Sequence, residues 1–361
     1  KDYGMATQKK EDDRMATQRK EDYGMATHGG DIYRNQVKAD FSVNINPLGV
    51  PKGVEEALHR AVGLCSRYPD IKAEKLKQAV GRMLGVPEEY LLFGNGASEL
   101  LMAAAHGLKA GKAWIPVPSF YGYEYAAKAA GCEAVYYGMG QDSNFCLPKD
   151  VGSALPKDVG VVFLANPNNP TGNLLGKEDV KSFLQQCKDR GITVVLDECF
   201  IEFCGSQYSM LPEAREFGNL IIIRAFTKIF SIPGVRLGYF ICKDPSLRAK
   251  ISCQLPEWNV SCFAQEAGCA CAGQAAFIQE TEKYIRKERK FLEEGLRRKG
   301  FLVFPSQANF ILFYSEEPLY GKLLEQGILI RDCRNFRGLG PGYYRVAVKS
   351  REENEVLLEH L

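Results

Sequence analysis

Phe226-Thr-Lys-Ile-Phe-Ser-Ile-Pro-Gly-Val-Arg-Leu-Gly-Tyr239 places one lysine, Lys228, between two apolar runs, residues 220–223 and 237–241. Short continuous apolar runs of this kind read as strands buried on both faces. A lysine between two such strands needs a physical reason, because burying an unpaired ammonium is costly. One reading is a side chain that snorkels to water at a strand end. The other is an amine held for covalent chemistry, with Arg236, eight residues later, as its anion-binding companion.

Working outward, further apolar runs fall at residues 91–93, 113–117, 134–137, 160–164 and 193–196, and helix-like segments at 98–106, 123–130 and 177–190 fill several of the gaps. The alternation predicts an α/β fold with a large domain built on a mainly parallel, seven-stranded sheet covered on both faces. In such sheets ligands bind at the carboxyl ends of the strands. Upstream, helices at 53–62 and 74–84 flank a break at Arg67-Tyr-Pro-Asp70. Downstream, residues 261–298 read as one long helix leading to a smaller α+β domain. That domain has strands at 301–304, 310–313, 328–330 and 344–348, and helices at 318–326 and 352–361. The expected organisation is a tail (1–27), a segment contributing to the small domain and to closure of the site (28–70), a large cofactor-binding domain (71–260), and a linking helix with the small domain (261–361).

Composition narrows the function classes. The net charge of +2 over 361 residues lacks the basic footprint of nucleic-acid binding. No apolar run nears the ~20 residues that span a bilayer, and no signal-peptide pattern is present. A cytoplasmic protein without nucleic-acid or membrane partners is expected. The twelve cysteines are scattered without zinc or redox spacing, which predicts reduced thiols and no metal site. Met5-Ala-Thr-Gln, Met15-Ala-Thr-Gln and Met25-Ala-Thr-His recur at a period of ten. That period is too short for a solenoid unit, and the segment is too polar for a core, so a flexible tail is expected. Duplication around a start codon, with Met25 opening the ancestral chain, is the simplest account.

Several motifs stand at predicted strand ends. Gly94-Asn-Gly-Ala-Ser-Glu-Leu-Leu101 turns from a strand into a helix, where converging N–H groups favour an anion. Asn166-Pro-Asn-Asn-Pro-Thr-Gly172 holds Asn169 ahead of Pro170, so that its amide could donate to a phenolate oxygen. Asp197, in Leu196-Asp-Glu-Cys-Phe-Ile-Glu202, is a carboxylate leaving a buried strand and calls for a cationic partner such as a protonated pyridine. Phe120, in Pro118-Ser-Phe120, is placed to stack on a flat ring or to fill core. A lysine amine, an aspartate, an asparagine and a phosphate cup together describe a site for pyridoxal 5'-phosphate.

These motifs, with Asp-Glu-x-Phe and Thr-Lys-x-Phe-x-x-Pro-Gly-x-Arg-x-Gly-Tyr, resemble the class I/II aminotransferase-fold enzymes from His28 to the C-terminus. The resemblance implies pyridoxal-phosphate fold type I and gives each position a role. Lys228 forms the Schiff base and moves protons at the α-carbon, Asp197 keeps the ring nitrogen protonated, Asn169 contacts the ring oxygen and Phe120 stacks on the ring. Ala97, Ser98, Thr227 and Arg236 hold the phosphate, and Arg345, in Tyr344-Arg-Val-Ala347, grips the substrate carboxylate. Tyr68 reaches the partner's site, which implies a homodimer. Two positions depart from the broad pattern: Ala225 stands where a phosphate-binding hydroxyl is usual, and Phe200 where aminotransferases commonly carry tyrosine.

His28-Gly-Gly-Asp31, Asn44-Ile-Asn-Pro-Leu-Gly49, Phe200 and Ile328-Leu-Ile-Arg-Asp-Cys-Arg-Asn-Phe336 resemble the L-threonine-O-3-phosphate decarboxylase subgroup, carboxy-lyases that supply the aminopropanol phosphate of cobalamin. Histidinol-phosphate aminotransferases are next in pattern, and an O-phosphoserine decarboxylase is a third option. All imply a small phosphorylated amino substrate. Arg331 and His28 are the candidates for its phosphate; Arg334 and Arg337, each three residues further on, could belong to the same grip or to a solvated face.

Overall fold

The computed structural model describes residues 28–361, so the repeat and the expectations attached to it lie outside the described residues. In chain order the strands are β1 (Ala39–Asp40), β2 (Leu91–Asn95), β3 (Lys112–Val117), β4 (Glu133–Gly138), β5 (Val161–Ala165), β6 (Thr193–Asp197), β7 (Leu220–Ala225), β8 (Leu237–Ile241), β9 (Leu302–Val303), β10 (Phe310–Tyr314), β11 (Ile328–Leu329), β12 (Arg331–Asp332) and β13 (Tyr343–Ala347).

All seven predicted runs of the large sheet are strands, in the order β2-β8-β7-β6-β5-β3-β4. Only β8 runs antiparallel, against both β2 and β7. Helices Ala97–Leu108, Gly122–Ala129 and Lys177–Asp189 supply crossovers between the parallel strands. The central strands carry apolar side chains on both faces because both are covered: Ile221, Ile222 and Ile223 are each fully buried. Each such side chain contributes about 1.5–3 kcal/mol when removed from water.

Register matters more to the site than size does. Ala165 pairs with Asp197, and Asp197 with Ile223. The Asn166 turn, Asp197 and the Lys228 turn therefore leave the sheet at one level. Because β8 runs the other way, Arg236, just before its first residue, joins them at the same edge.

The C-terminal sheet has the order β12-β13-β10-β9 and is antiparallel throughout. Two details depart from expectation. The helix expected over 261–298 is two helices, Cys262–Cys271 and Ala275–Arg298, interrupted at Gly273, a residue with poor helix propensity. The strand expected at 328–330 divides at Ile330. Its first half, β11, pairs in parallel with β1 and so holds the N-terminal segment, while β12 joins β13. No helix among the described residues is long and apolar enough to cross a membrane. All twelve cysteines are free thiols.

Candidate active site

A cavity of about 360 Å³ opens at the carboxyl ends of the parallel strands. Of the sequence candidates, His28, Ala97, Ser98, Phe120, Asn169, Asp197, Thr227, Lys228, Arg236, Arg331 and Arg345 all line it. Tyr68 does not. It lies elsewhere on the surface, 80% exposed, with its ring 4.9 Å from that of Trp258.

Lys228 sits in the single-turn helix Phe226–Ile229 that follows β7. The Asn44-Ile-Asn-Pro-Leu-Gly49 motif explains how that turn is held. Asn46 N–H donates to the Lys228 carbonyl at 3.2 Å, the Asn46 amide to the Ile229 carbonyl at 2.7 Å, and Ser231 Oγ to the Asn46 carbonyl at 2.7 Å. Burial pushes the Lys228 ammonium below its ordinary pKa; the Cys199 thiol opposes this, and the Arg345 and Arg236 guanidiniums add to it. A lysine depressed in this way is closer to the neutral amine that nucleophilic chemistry requires.

Asp197 is 9% exposed at the end of β6 and accepts from Tyr123 Oη at 2.7 Å and from Cys199 N–H at 2.9 Å. Burial pushes the Tyr123 phenol well up, and the neighbouring Asp197 charge adds to it, so the tyrosine remains a donor. Neither bond neutralises the carboxylate, which suits it to pair with a cation bound in the cavity. The asparagine heptad is braced by its own side chains. Asn168 Nδ2 donates to the Pro118 carbonyl and to Thr171 Oγ1, both at 2.9 Å, and Asn166 Oδ1 accepts from Leu175 N–H at 2.8 Å. That bracing leaves Asn169 facing the cavity, where its Oδ1 accepts from Arg345 Nη1.

The anion cup is the start of helix Ala97–Leu108, whose first turn has no side-chain cap. Its N-cap, Gly96, has φ of +80°, and a Cβ there would lie 2.5 Å from an Arg236 nitrogen. On β8 a Cβ at Gly238 would lie 2.6 Å from the Ala97 nitrogen. Both positions need glycine for the turn to lie between β8 and Arg236. Glu99 Oε2 fixes the turn by accepting from Asn95 N–H and Asn259 Nδ2, each at 2.7 Å. Uncapped N–H groups, a helix dipole and an arginine suit a phosphate. With Asp197 for a pyridinium, Asn169 for a ring oxygen and Lys228 for an aldehyde, the donor set fits pyridoxal phosphate.

The other end of the cavity has a different construction. Arg331 on β12 and Arg345 on β13 are direct cross-strand partners, each 6% exposed. Like charges directly opposite destabilise a sheet. Burial, with Arg331 beside it, pushes the Arg345 pKa down to about 10. Arg345 Nη2 donates to the Ser42 carbonyl at 2.8 Å, while its buried Nε has no partner among the described residues. Arg331 donates to Asn335 Oδ1 at 2.8 Å and lies over the Phe336 ring at 5.1 Å. His28 stands at the cavity mouth, and partial burial and Arg331 push its pKa down. Arg334 is turned away and bonded to Asp332 at 2.7 Å; Arg337 is also absent from the cavity wall.

Three residues of the wall escape a reading of the sequence. Tyr123 carries no motif beyond its place at the start of a helix. Asn335 stands inside the quoted 328–336 stretch but between more conspicuous arginines. Ser42 acts through its backbone carbonyl, which no side-chain pattern reports.

The chain matches the family described as aminotransferase class I and II over residues 36–361. It is 40% identical over 343 residues to a putative threonine-phosphate decarboxylase of Caldanaerobacter subterraneus subsp. tengcongensis, covering 92% of each chain. It is 36% identical over 326 residues to the threonine-phosphate decarboxylase of Salmonella typhimurium, covering 89% of this chain and 90% of that one. Among solved structures it is similar to the histidinol-phosphate aminotransferase of Clostridium acetobutylicum, at 35% identity and a TM-score of 0.85, covering 90% of this chain and 98% of that one. Motifs, fold and similarity agree: the chain belongs to the pyridoxal-phosphate-dependent class I and II aminotransferase family.

Proposed function

We propose that this protein decarboxylates L-threonine O-3-phosphate to (R)-1-amino-2-propanol O-2-phosphate, the linker precursor of cobalamin, as a cytoplasmic homodimer. The observation that carries the reading is the pairing of Arg331 with Arg345. Two buried guanidiniums side by side at the mouth of a lysine site call for two anions on one substrate. An α-amino acid with a phosphorylated side chain supplies a carboxylate to Arg345 and a phosphate to Arg331, His28 and Asn335. The similarity to the two decarboxylases supports the same choice.

Pyridoxal phosphate, when bound, supplies a sink for the electron pair left when a bond at the α-carbon breaks. The chain's own residues do the rest. Ala97 and Ser98 at the helix start, with Thr227 and Arg236, hold the phosphate. Asp197, oriented by Tyr123 and the Cys199 N–H, keeps a proton on the ring nitrogen. Asn169 would bond the ring oxygen and Phe120 would face the ring, while Phe200 carries no hydroxyl to give that oxygen a second hydrogen bond. Arg345 would hold and orient the carboxylate, whose bond to the α-carbon breaks as CO2 leaves without the electron pair. Lys228 then delivers a proton to that carbon. Tyr68, exposed and outside its own cavity, reaches the site of a second copy.

The test is incubation of purified protein with O-phosphothreonine, O-phosphoserine and histidinol phosphate separately. CO2 release from the first, with no keto acid added, is expected; keto-acid-dependent turnover of histidinol phosphate alone overturns the reading. For the dimer, mixing Tyr68→Phe and Lys228→Ala proteins gives more activity than the two measured apart if sites are shared, and no more than their sum if each chain works alone.

A further inference from the structure

Arg337, the third of the arginines spaced three apart, does not face the cavity, yet its contacts are among the best formed outside it. Its Nε and Nη2 donate to the two oxygens of Glu124 at 3.2 and 3.0 Å, and its guanidinium lies 4.1 Å from the centre of the Tyr136 ring. Glu124 is 9% exposed and also accepts from Lys128 Nζ at 2.5 Å. Burial raises the Glu124 carboxyl, but Arg337, Lys128 and Tyr136 hold it at about 2, so it is charged at every working pH.

The connectivity gives the pair its meaning. Arg337 lies within a tight loop in which Phe336 N–H bonds the Cys333 carbonyl and Leu339 N–H the Phe336 carbonyl, both close to 3 Å. Arg331, Asn335 and Phe336, which line the substrate end, lie on or just before this loop. Glu124 lies on helix Gly122–Ala129, next to Tyr123, which holds Asp197. One turn of helix thus contacts the aspartate at the cofactor end and the loop at the substrate end.

We propose that Arg337 and Glu124 form a positioning latch that fixes the 333–339 loop against this helix and so sets Arg331, Asn335 and Phe336 for the phosphate end of the substrate. This rests on the assignment of a phosphorylated substrate to the cavity. The latch touches neither substrate nor cofactor. An exposed arginine contributes little to stability by itself, and Arg337 is 49% exposed, but a bidentate pair to a shielded carboxylate is geometrically specific. Its effect is therefore expected in substrate affinity rather than in folding.

The experiment compares Arg337→Ala, Glu124→Gln, their double variant and Arg337→Lys, using a phosphorylated substrate and its non-phosphorylated parent. Either single variant should raise KM for the phosphorylated compound about five- to tenfold, with kcat changed less than about twofold. The parent compound's KM, the cofactor absorbance and the thermal midpoint should not move. The double variant should be no worse than the poorer single, and Arg337→Lys should recover part of the loss. An unchanged KM, an equal rise for both compounds, or an additive double variant overturns the latch. If Arg337→Ala fails to fold, Arg337→Gln, which keeps a polar side chain without the charge, takes its place. Using whichever phosphorylated amino compound is turned over separates the two questions: absence of CO2 release sinks the reaction assignment, while phosphate discrimination still decides the latch.

Discussion

The cofactor end of the cavity is assembled from neighbouring strands, with Asn169 just beyond β5, Asp197 at the end of β6 and Lys228 just beyond β7. The end proposed to take the substrate is gathered from His28 and Ser42 at one extreme of the described chain and from Arg331 and Arg345 at the other. The first set is held by a ladder of parallel backbone hydrogen bonds and a fully buried apolar floor. The second is held by a smaller antiparallel sheet, in which Arg331 lies opposite Arg345, and by side-chain bonds between segments about 300 residues apart, such as Arg345 to the Ser42 carbonyl. The cofactor group thus rests on the large, mainly parallel sheet, and the other group on a smaller sheet tied to the N-terminal segment.

That contrast can be broken most sharply at Lys228. Lys228→Ala should lower turnover by at least ~10³-fold and remove the protein-bound cofactor absorbance. A surviving band would show that another amine holds the cofactor. Asp197→Asn should lower kcat by about 10²-fold while the cofactor stays bound, because a neutral amide no longer stabilises a protonated ring nitrogen. Steady-state rates alongside cofactor titration separate the two effects. At the other end, Arg345→Lys keeps the charge but loses the planar fork that holds and orients the carboxylate, and kcat/KM should fall about tenfold, through both KM and kcat. An unchanged kcat/KM would remove Arg345 from the substrate site.

The smallest effect concerns the apoprotein. Lys228 has a folded-state pKa below its ordinary 10.5, so between the two values the unfolded chain binds more protons than the native one. Stability therefore rises with pH through that window. Apo Lys228→Met should be more stable than the parent at neutral pH, with a margin that shrinks as pH approaches 10.5. Denaturant midpoints across that range measure it, and a constant margin would show that burial does not oppose the charge.

Much of this architecture was legible locally. Buried parallel strands must be apolar on both faces, so each of the seven appears as a short continuous run, and turn residues between strand and helix mark where the chain leaves the sheet. The break at Gly273 and the division of residues 328–332 between two sheets were not, since a helical pattern tolerates one glycine and neighbouring residues carry no mark of which distant strand each will join.

By itself the sequence determined the α/β class, the seven strands and the positions of Lys228, Asp197, Asn169 and Arg236, because hydrophobic period and turn chemistry are local properties of the chain. Only the tertiary structure decided that Tyr123 holds Asp197, that Arg331 lies opposite Arg345, and that Arg337 turns away from the cavity to Glu124. Each of these is a pairing between residues from different elements, and its partner is chosen by sheet register and helix packing. The lysine that first stood out between two apolar runs is thus explained by its neighbours in sequence, while what it acts on is set by residues that reach it only through the fold.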